Sequence, residues 1–247
     1  MKNRSPIIST LVILLSLSLV IPPDLAAQAA QHAGQVSRVI PAVGIQRGTV
    51  QLVAAPQTDV LWEDVVRAER MARARIALDD GSLLNVGSES SLRITSHDAT
   101  TRRTQLDLLY GRMRAKIVRL VQPGASFEVR TPVAVAGVVG TDFFLLFEND
   151  ILLLIVFEGI VRLCDLAGQC VDVKAGERSR VRGGQPPDLP SKALPSEVTE
   201  AVRSTEVEEA VPPAVARRKK LLRYALIGGV IVPAILSPVI GRLCSRK

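Results

Sequence analysis

Apolar and polar residues alternate along the middle of the chain, between residues 44 and 182. In the segments 73–78, 105–108 and 112–117, apolar and polar residues alternate at nearly every position. A period of two is typical of β-strands with one buried and one solvated face. Turn-forming runs such as Asp79-Asp80-Gly81-Ser82 separate these segments. The pattern predicts many short strands and an all-β sandwich, barrel or solenoid.

Two later segments are apolar at almost every position. Residues 143–147 and 151–157 consist almost entirely of aliphatic and aromatic residues, and Glu148-Asn149-Asp150 separates them. Their length and β-branched content favour strands over a helix. We expect a hairpin that is buried on both faces.

The first 29 residues have the pattern of an export signal. Lys2 and Arg4 precede an apolar stretch at 7–21, which Pro22-Pro23 ends. Ala27-Gln28-Ala29 then provides a cleavage site between small residues. The sequence predicts a signal helix over residues 1–29 that directs the following chain out of the cytoplasm. The alternative is an uncleaved membrane anchor.

Residues 217–247 contain a second apolar segment with basic flanks. The apolar part, 224–240, has 17 residues, which is close to the lower limit for a membrane-spanning helix. We expect a hydrophobic helix that attaches the protein to the membrane. The alternative is a segment that lies at the membrane surface, where anionic lipids would bind its basic residues.

Residues 188–216 separate the β region from this tail and are rich in proline and acidic residues. The spacing within 196–211 predicts one acidic helix, with Ser196 as its N-cap and Glu197 in its first turn. We interpret the whole segment as a linker.

The formal net charge of +7 belongs to the C-terminal tail. Residues 217–247 contain 8 basic residues and no acidic ones, whereas the rest of the chain has one more acidic than basic residue. The folded part therefore lacks the excess positive charge of a nucleic-acid-binding surface. Aromatic residues make up only 3% of the chain, so a base-stacking surface is also not expected.

The cysteines and histidines give no pattern for a metal or cofactor site. Cys164 and Cys170 bracket a short turn, and outside the cytoplasm they are candidates for a cross-strand disulfide. The alternative is two reduced cysteines packed in the strands. We expect His32 to be disordered after the cleavage site, and His97 to be solvated in a polar turn.

The sequence also gives no arrangement for catalysis. Glu63, Asp64 and Asp142 are the carboxylates considered for hydrolysis, but no motif places them together. We expect a protein that is not an enzyme and that has no cofactor.

The most informative motif extends from Thr131 to Phe143. Proline stiffens its start, and two glycines allow a bulge or a close backbone contact. We expect Thr141 and Asp142 to bond to nearby backbone N–H groups. The motif residues that are candidates for a docking edge are Thr131, Pro132, Gly137, Gly140, Thr141, Asp142 and Phe143. The alternative is a β-corner that is required only for folding.

The sequence resembles the FecR domain family over about residues 34–187. The segments that carry this resemblance are 61–64, 77–82, 108–114, 127–143, 157–161 and 173–177. The resemblance implies a solenoid-like or sandwich β domain, a role in signal sensing or docking, and no catalytic chemistry.

The chain departs from the family pattern in two ways. The family usually has an arginine two residues before the threonine of its Gly-Thr pair, where this chain has Val139. Members of the family also carry a cytoplasmic anti-sigma region ahead of their membrane helix, whereas only a few residues precede the apolar stretch here. We therefore expect the sensing module without the transcriptional output.

These observations predict an exported domain on the periplasmic side of the inner membrane, to which the C-terminal tail attaches it. The expected partners are other envelope proteins, which could add a strand to an exposed sheet edge. The alternative function is a module that binds peptidoglycan or another cell-wall polysaccharide.

Overall fold

The computed structural model describes residues 31–207, 225–227 and 230–232. Residues 31–207 form one unit, in which 17 strands make up two connected sheets. The predicted signal peptide at 1–29 lies outside the described residues. So does most of the segment 208–247.

The two sheets share one long strand, β9 (Arg103–Lys116). The strands of sheet 1 are β1 (His32–Ile40), β4 (Asp59–Leu61), β6 (Arg73–Leu78), β7 (Leu83–Val86), β12 (Asp142–Glu148), β13 (Ile151–Glu158), β16 (Glu177–Arg182) and β17 (Ser191–Lys192). The strands of sheet 2 are β2 (Val43–Arg47), β3 (Val50–Val53), β5 (Val65–Ala68), β8 (Ser90–Asp98), β10 (Ser126–Arg130), β11 (Ala134–Val138), β14 (Ile160–Asp165) and β15 (Cys170–Lys174).

The chain moves back and forth between these sheets. The spatial order is β4-β1-β6-β7-β9-β12-β13-β16-β17 in sheet 1. The order is β3-β2-β5-β8-β9-β10-β11-β14-β15 in sheet 2. All neighbours are antiparallel except β9 and β10, which are parallel. Because sequential hairpins alternate between the two layers, the domain is a solenoid-like sandwich, and the predicted all-β class is confirmed.

A single aliphatic core fills the space between the sheets. Ile45 and Leu106 reach it from sheet 2, and Ile76 and Leu145 reach it from sheet 1; all four are fully buried. Ile45, Ile76 and Leu106 occupy inward positions of alternating strands, and Leu145 lies on the core side of β12. Burial of their side chains stabilises the sandwich by roughly 1.5–3 kcal/mol each.

The hairpin β12–β13 is buried on both faces, as its apolar sequence predicted. Phe143 and Leu145 contribute to the core between the sheets. Phe144 and Ile155 lie in a second apolar cluster with Ala201. Ala201 belongs to helix α1 (Pro195–Thr205), which covers the outer face of this hairpin.

Helix α1 corrects the interpretation of residues 188–216 as a linker. The helix begins at Pro195, a residue favoured at the first helical position, with Leu194 rather than Ser196 as its N-cap. Glu197 accepts a hydrogen bond from the Leu194 N–H at 3.1 Å. The helix ends at Thr205 and not at Val211, and residues up to 207 belong to the β unit.

The second unit, residues 208–247, contains two short described strands. These are β18 (Ala225–Ile227) and β19 (Val230–Val232), which pair in antiparallel orientation. These six residues are therefore extended and not helical, in contrast to the hydrophobic helix that the sequence predicted. Among the described residues, no helix has both the length and the apolar character needed to cross a membrane.

The two histidines occupy environments that the sequence did not predict. His97 continues strand β8 and is buried, with its Nδ1 2.9 Å from the Thr104 hydroxyl, and burial lowers its pKa. His32 is ordered at the start of β1, where its Nδ1 lies 2.7 Å from Asp79 Oδ2. The hydrogen bond with Asp79 raises the pKa of His32.

We predict that His97 makes the fold sensitive to acid. Because its pKa in the folded state lies below the ordinary value of 6.5, the unfolded chain binds a proton first as the pH falls below that value. The free energy of unfolding should then decrease by up to about 1.4 kcal/mol per pH unit. His97→Gln should remove this slope in urea titrations between about pH 7 and pH 5.

His32→Gln is the matched control, because its effect has the opposite sign. The raised pKa of folded His32 gives a stability that is complete below 6.5 and is lost as the pH rises through the folded value. If the free energy of unfolding falls equally steeply with pH in the wild type and in His97→Gln below pH 6.5, the acid sensitivity does not come from His97.

Candidate functional site

The motif Thr131–Phe143 begins with a tight turn between β10 and β11. The Thr131 hydroxyl accepts a hydrogen bond from the Ala134 N–H at 3.0 Å, and the Thr131 N–H donates to the Ala134 carbonyl at 2.9 Å. Pro132 is exposed at the turn, where its missing N–H leaves no donor unpaired. The turn directs the chain back into sheet 2.

The motif does not provide a free sheet edge, which corrects the strand-addition hypothesis at this position. Strand β11, which contains Gly137, pairs with β10 on one side and with β14 on the other. Strand β12, which contains Phe143, pairs with both β9 and β13. The described strands at the ends of sheet 2 are β3 and β15, which lie outside the motif.

Gly140 forms the corner at which the chain leaves sheet 2 for sheet 1. Its φ angle is +70°, and an added Cβ would lie 2.7 Å from the Cα of Arg119. Real Cβ atoms do not approach backbone atoms so closely. Only glycine therefore satisfies both the backbone angle and the contact.

The two polar residues after this corner have different roles from those expected. Asp142 binds the Arg114 guanidinium through both oxygens, each at 2.8 Å. Arg114 also lies over the ring of Phe157 at 4.5 Å, and the hydrogen bond with Asp142 raises its pKa. The buried Thr141 hydroxyl has no partner among the described residues, while the Thr141 carbonyl accepts a bond from the Ile117 N–H.

The corner borders a hollow of about 500 Å³ on the surface, which we call the motif hollow. Its lining residues are Arg119, Gly137, Val139, Gly140, Gly159, Ile160, Arg162 and Asp172. Val139 and Ile160 both line the hollow and are 65% and 52% exposed. The hollow therefore offers apolar contacts to a partner.

The charges at the motif hollow come from two arginines and one carboxylate. Arg162 donates a hydrogen bond from Nε to Asp172 Oδ1 at 3.0 Å across β14 and β15. This contact lowers the pKa of Asp172 and raises that of Arg162. Arg119 is exposed and forms no ion pair with any described residue. A partner carboxylate could therefore bind Arg119 without displacing an internal contact.

Cys164 and Cys170 lie opposite one another on β14 and β15 and form a disulfide in the structure. The Asp165 carboxylate caps the turn between them by accepting the Gln169 N–H at 2.7 Å. Cys244 lies outside the described residues.

The carboxylates considered for catalysis do not converge. Asp64 is fully buried and binds Arg47, with the shortest contact at 2.7 Å. Asp142 binds a different arginine in the other sheet, so each charge is neutralised locally. Asp80 accepts the Ser82 N–H at 2.9 Å within the predicted hairpin turn. In the described part of the chain, no group of three or more acidic, histidine or cysteine side chains is arranged to hold a metal ion.

The sequence identified Gly137 and Gly140 as candidate site residues but not the other walls of the motif hollow. Arg119, Ile160, Arg162 and Asp172 come from three separate segments. The pairing of β11 with β14, and of β14 with β15, brings Ile160, Arg162 and Asp172 beside the motif. Arg119 follows β9 and packs against Gly140. No local pattern signals such a meeting. The position of Val139 was noted in the sequence as a departure from the family pattern, and it lies on the rim of this hollow.

We predict that Gly140→Val destabilises the fold more than Gly184→Val does. The two glycines have nearly the same φ, +70° and +71°, but nothing lies within 4 Å of a Cβ at Gly184. Both variants should lose about 1–2 kcal/mol from the left-handed backbone angle. Only Gly140→Val should lose roughly 1–3 kcal/mol more from the collision with Arg119. Urea unfolding measures both losses, and equal values would show that the corner is not tightly packed.

Comparisons with known proteins give structural neighbours and a family match. Two crystal structures of a "putative anti-sigma factor" from Parabacteroides distasonis ATCC 8503 align with 70% of this chain and 99% of their own. Their sequence identities are 15% and 16%, and both TM-scores are 0.47. No curated protein matches the sequence.

The family model described as "FecR protein" matches residues 64–162. The matched region extends from buried Asp64 through β9 and the whole motif to Arg162 in the motif hollow. The resemblance seen in the sequence is therefore confirmed over residues 64–162, where the chain is similar to the FecR family.

Proposed function

We propose that this chain is an exported, non-enzymatic FecR-domain protein that senses or relays a signal by docking another envelope protein. The motif hollow is the observation that carries the proposal. It combines exposed aliphatic side chains with an arginine that forms no ion pair within the described part of the chain. Protein interfaces commonly combine these features, with an apolar centre and charged groups at the rim.

The proposal places the domain on the periplasmic side of the inner membrane. The basic and apolar pattern of residues 1–29 supports export. The apolar segment with basic flanks in 217–247 supports attachment to the membrane. Attachment would raise the effective concentration of the domain for membrane-bound partners.

A polysaccharide ligand is the alternative, and the lining of the motif hollow favours it less. Sugar rings commonly pack against exposed aromatic side chains, whereas the residues that line this hollow include none. Trp62 packs against the core, and its indole N–H donates to the His97 carbonyl at 2.9 Å. The ring is therefore fixed as part of the fold.

We predict that Arg119→Glu and Ile160→Asp each weaken partner binding by about tenfold or more, because each removes a contact from the centre of the motif hollow. The matched controls are Arg70→Glu and Val53→Asp, which make the same chemical changes at exposed positions outside it. Photo-crosslinking from position 139 in intact cells measures capture of an envelope protein by each variant.

Loss of crosslinking in the two hollow variants, with normal capture in the controls, would support the docking function. Equal capture by all four variants would contradict it. Retention of the wild-type protein on purified cell wall, weakened by the same two substitutions, would assign the hollow to a polysaccharide instead.

A further inference from the structure

The outer face of sheet 1 carries an apolar strip with arginines on both sides. One row across the strands runs Arg112, Leu146, Leu153 and Arg180, and the parallel row runs Arg114, Phe144, Ile155 and Arg178. Directly paired residues of neighbouring antiparallel strands point to the same face. Each row therefore has the form arginine, apolar, apolar, arginine. We call this surface the arginine-flanked groove.

This surface matches the pattern of an acidic amphipathic helix. Such a helix would place its apolar face on the central strip and its carboxylates beside the flanking guanidinium groups. Arginine suits this role because its planar fork binds carboxylates in defined geometry. The apolar strip therefore favours a helix with an apolar face, and the flanking arginines favour acidic side chains beside that face.

Helix α1 of the same chain occupies the groove, but it forms ion pairs with the arginines on only one side. Glu197 binds Arg178 at 2.6 Å and Arg180 at 3.1 Å. Arg73 donates to the Ser204 carbonyl at 3.0 Å, near the end of the helix. On the other side of the groove, Arg112 and Arg114 bind Glu148 and Asp142 of β12, so α1 provides no ion pair there.

The contact between α1 and the groove is incompletely packed. A cavity of about 260 Å³ that is open to the surface is lined by the small residues Ala201 and Ser204 of the helix and by the apolar strip. The buried Nε atoms of Arg112 and Arg178 have no hydrogen-bond partner among the described residues. Helix α1 has only 11 residues, too few to be stable without its packing surface.

We propose that the arginine-flanked groove is a helix-binding site in which α1 is an exchangeable occupant. The exchange partner is an acidic amphipathic helix of another protein, with larger apolar residues at the positions of Ala201 and Ser204. Such residues would fill the cavity, and additional carboxylates would satisfy the unpaired Nε–H groups. This surface lies on sheet 1, outside the motif hollow, so the inference does not depend on the docking function proposed above.

The probe for this site is a fluorescent peptide of residues 194–207 that carries Ala201→Leu and Ser204→Leu. Its binding to the full-length protein in detergent micelles is measured by anisotropy. In the protein, Ala201→Asp places a charge on the apolar strip and should release α1. We expect this variant to bind the peptide at least about tenfold more tightly than the wild type does, because its own helix no longer competes.

Three further variants define the site. Adding Arg178→Glu and Arg180→Glu to Ala201→Asp should abolish binding. Ala201→Leu in the protein should fill the cavity with its own helix and weaken peptide binding below the wild-type level. Glu197→Arg is a second way to release α1, because it removes both ion pairs without changing the apolar strip.

Retained near-native circular dichroism shows that the β domain of each variant is folded. Equal peptide binding by the wild type and both released variants would overturn the proposal. Absence of binding to folded Ala201→Asp and Glu197→Arg would also overturn it. Dimers in which two copies exchange α1, formed in preference to peptide binding, would assign the groove to a second copy and overturn the proposed partner.

Discussion

The passage of β9 through both sheets is the constraint on which the rest of the structure depends. Its first half pairs with β8 and β10 in sheet 2, and its second half pairs with β7 and β12 in sheet 1. Gly111 lies where the strand changes sheets and has a φ of +85°. A Cβ at this position would collide with the Glu89 carbonyl and with Ser90. The Ser90 hydroxyl instead accepts the Arg112 N–H at 2.8 Å, which fixes the start of the second half.

Both proposed surfaces follow from this arrangement. The motif passes from β11 to β12 beside β9, so its corner and hollow lie at the boundary between the sheets. The second half of β9 also supplies Arg112 and Arg114, which form one side of the arginine-flanked groove. One surface belongs mainly to sheet 2 and the other to sheet 1. The two proposed binding surfaces therefore lie on separate faces of the domain.

The sequence predicted the features that depend on residues close to one another along the chain. Alternation identified the strands, and the apolar runs at 143–147 and 151–157 predicted a hairpin buried on both faces. Such patterns report whether a strand is buried but not which strands lie beside it. The sequence therefore indicated neither that Arg119 and Ile160 meet, nor that α1 packs on β12 and β13. His97 was misjudged for a related reason, since the polar residues around it continue a strand instead of forming a turn.

The most direct measurement of the central claim compares Gly111→Ala with Gly168→Ala. Their φ angles are similar, +85° and +87°, but nothing lies within 4 Å of a Cβ at Gly168. If both sheets depend on the passage of β9, Gly111→Ala should lower the free energy of unfolding by roughly 1–3 kcal/mol more than its control, because of the added collision. Far-ultraviolet circular dichroism, which reports the strands, and near-ultraviolet circular dichroism, which reports the packing of aromatic side chains, should change in a single coincident transition. Equal losses of stability, or separate unfolding of the two sheets, would contradict the account.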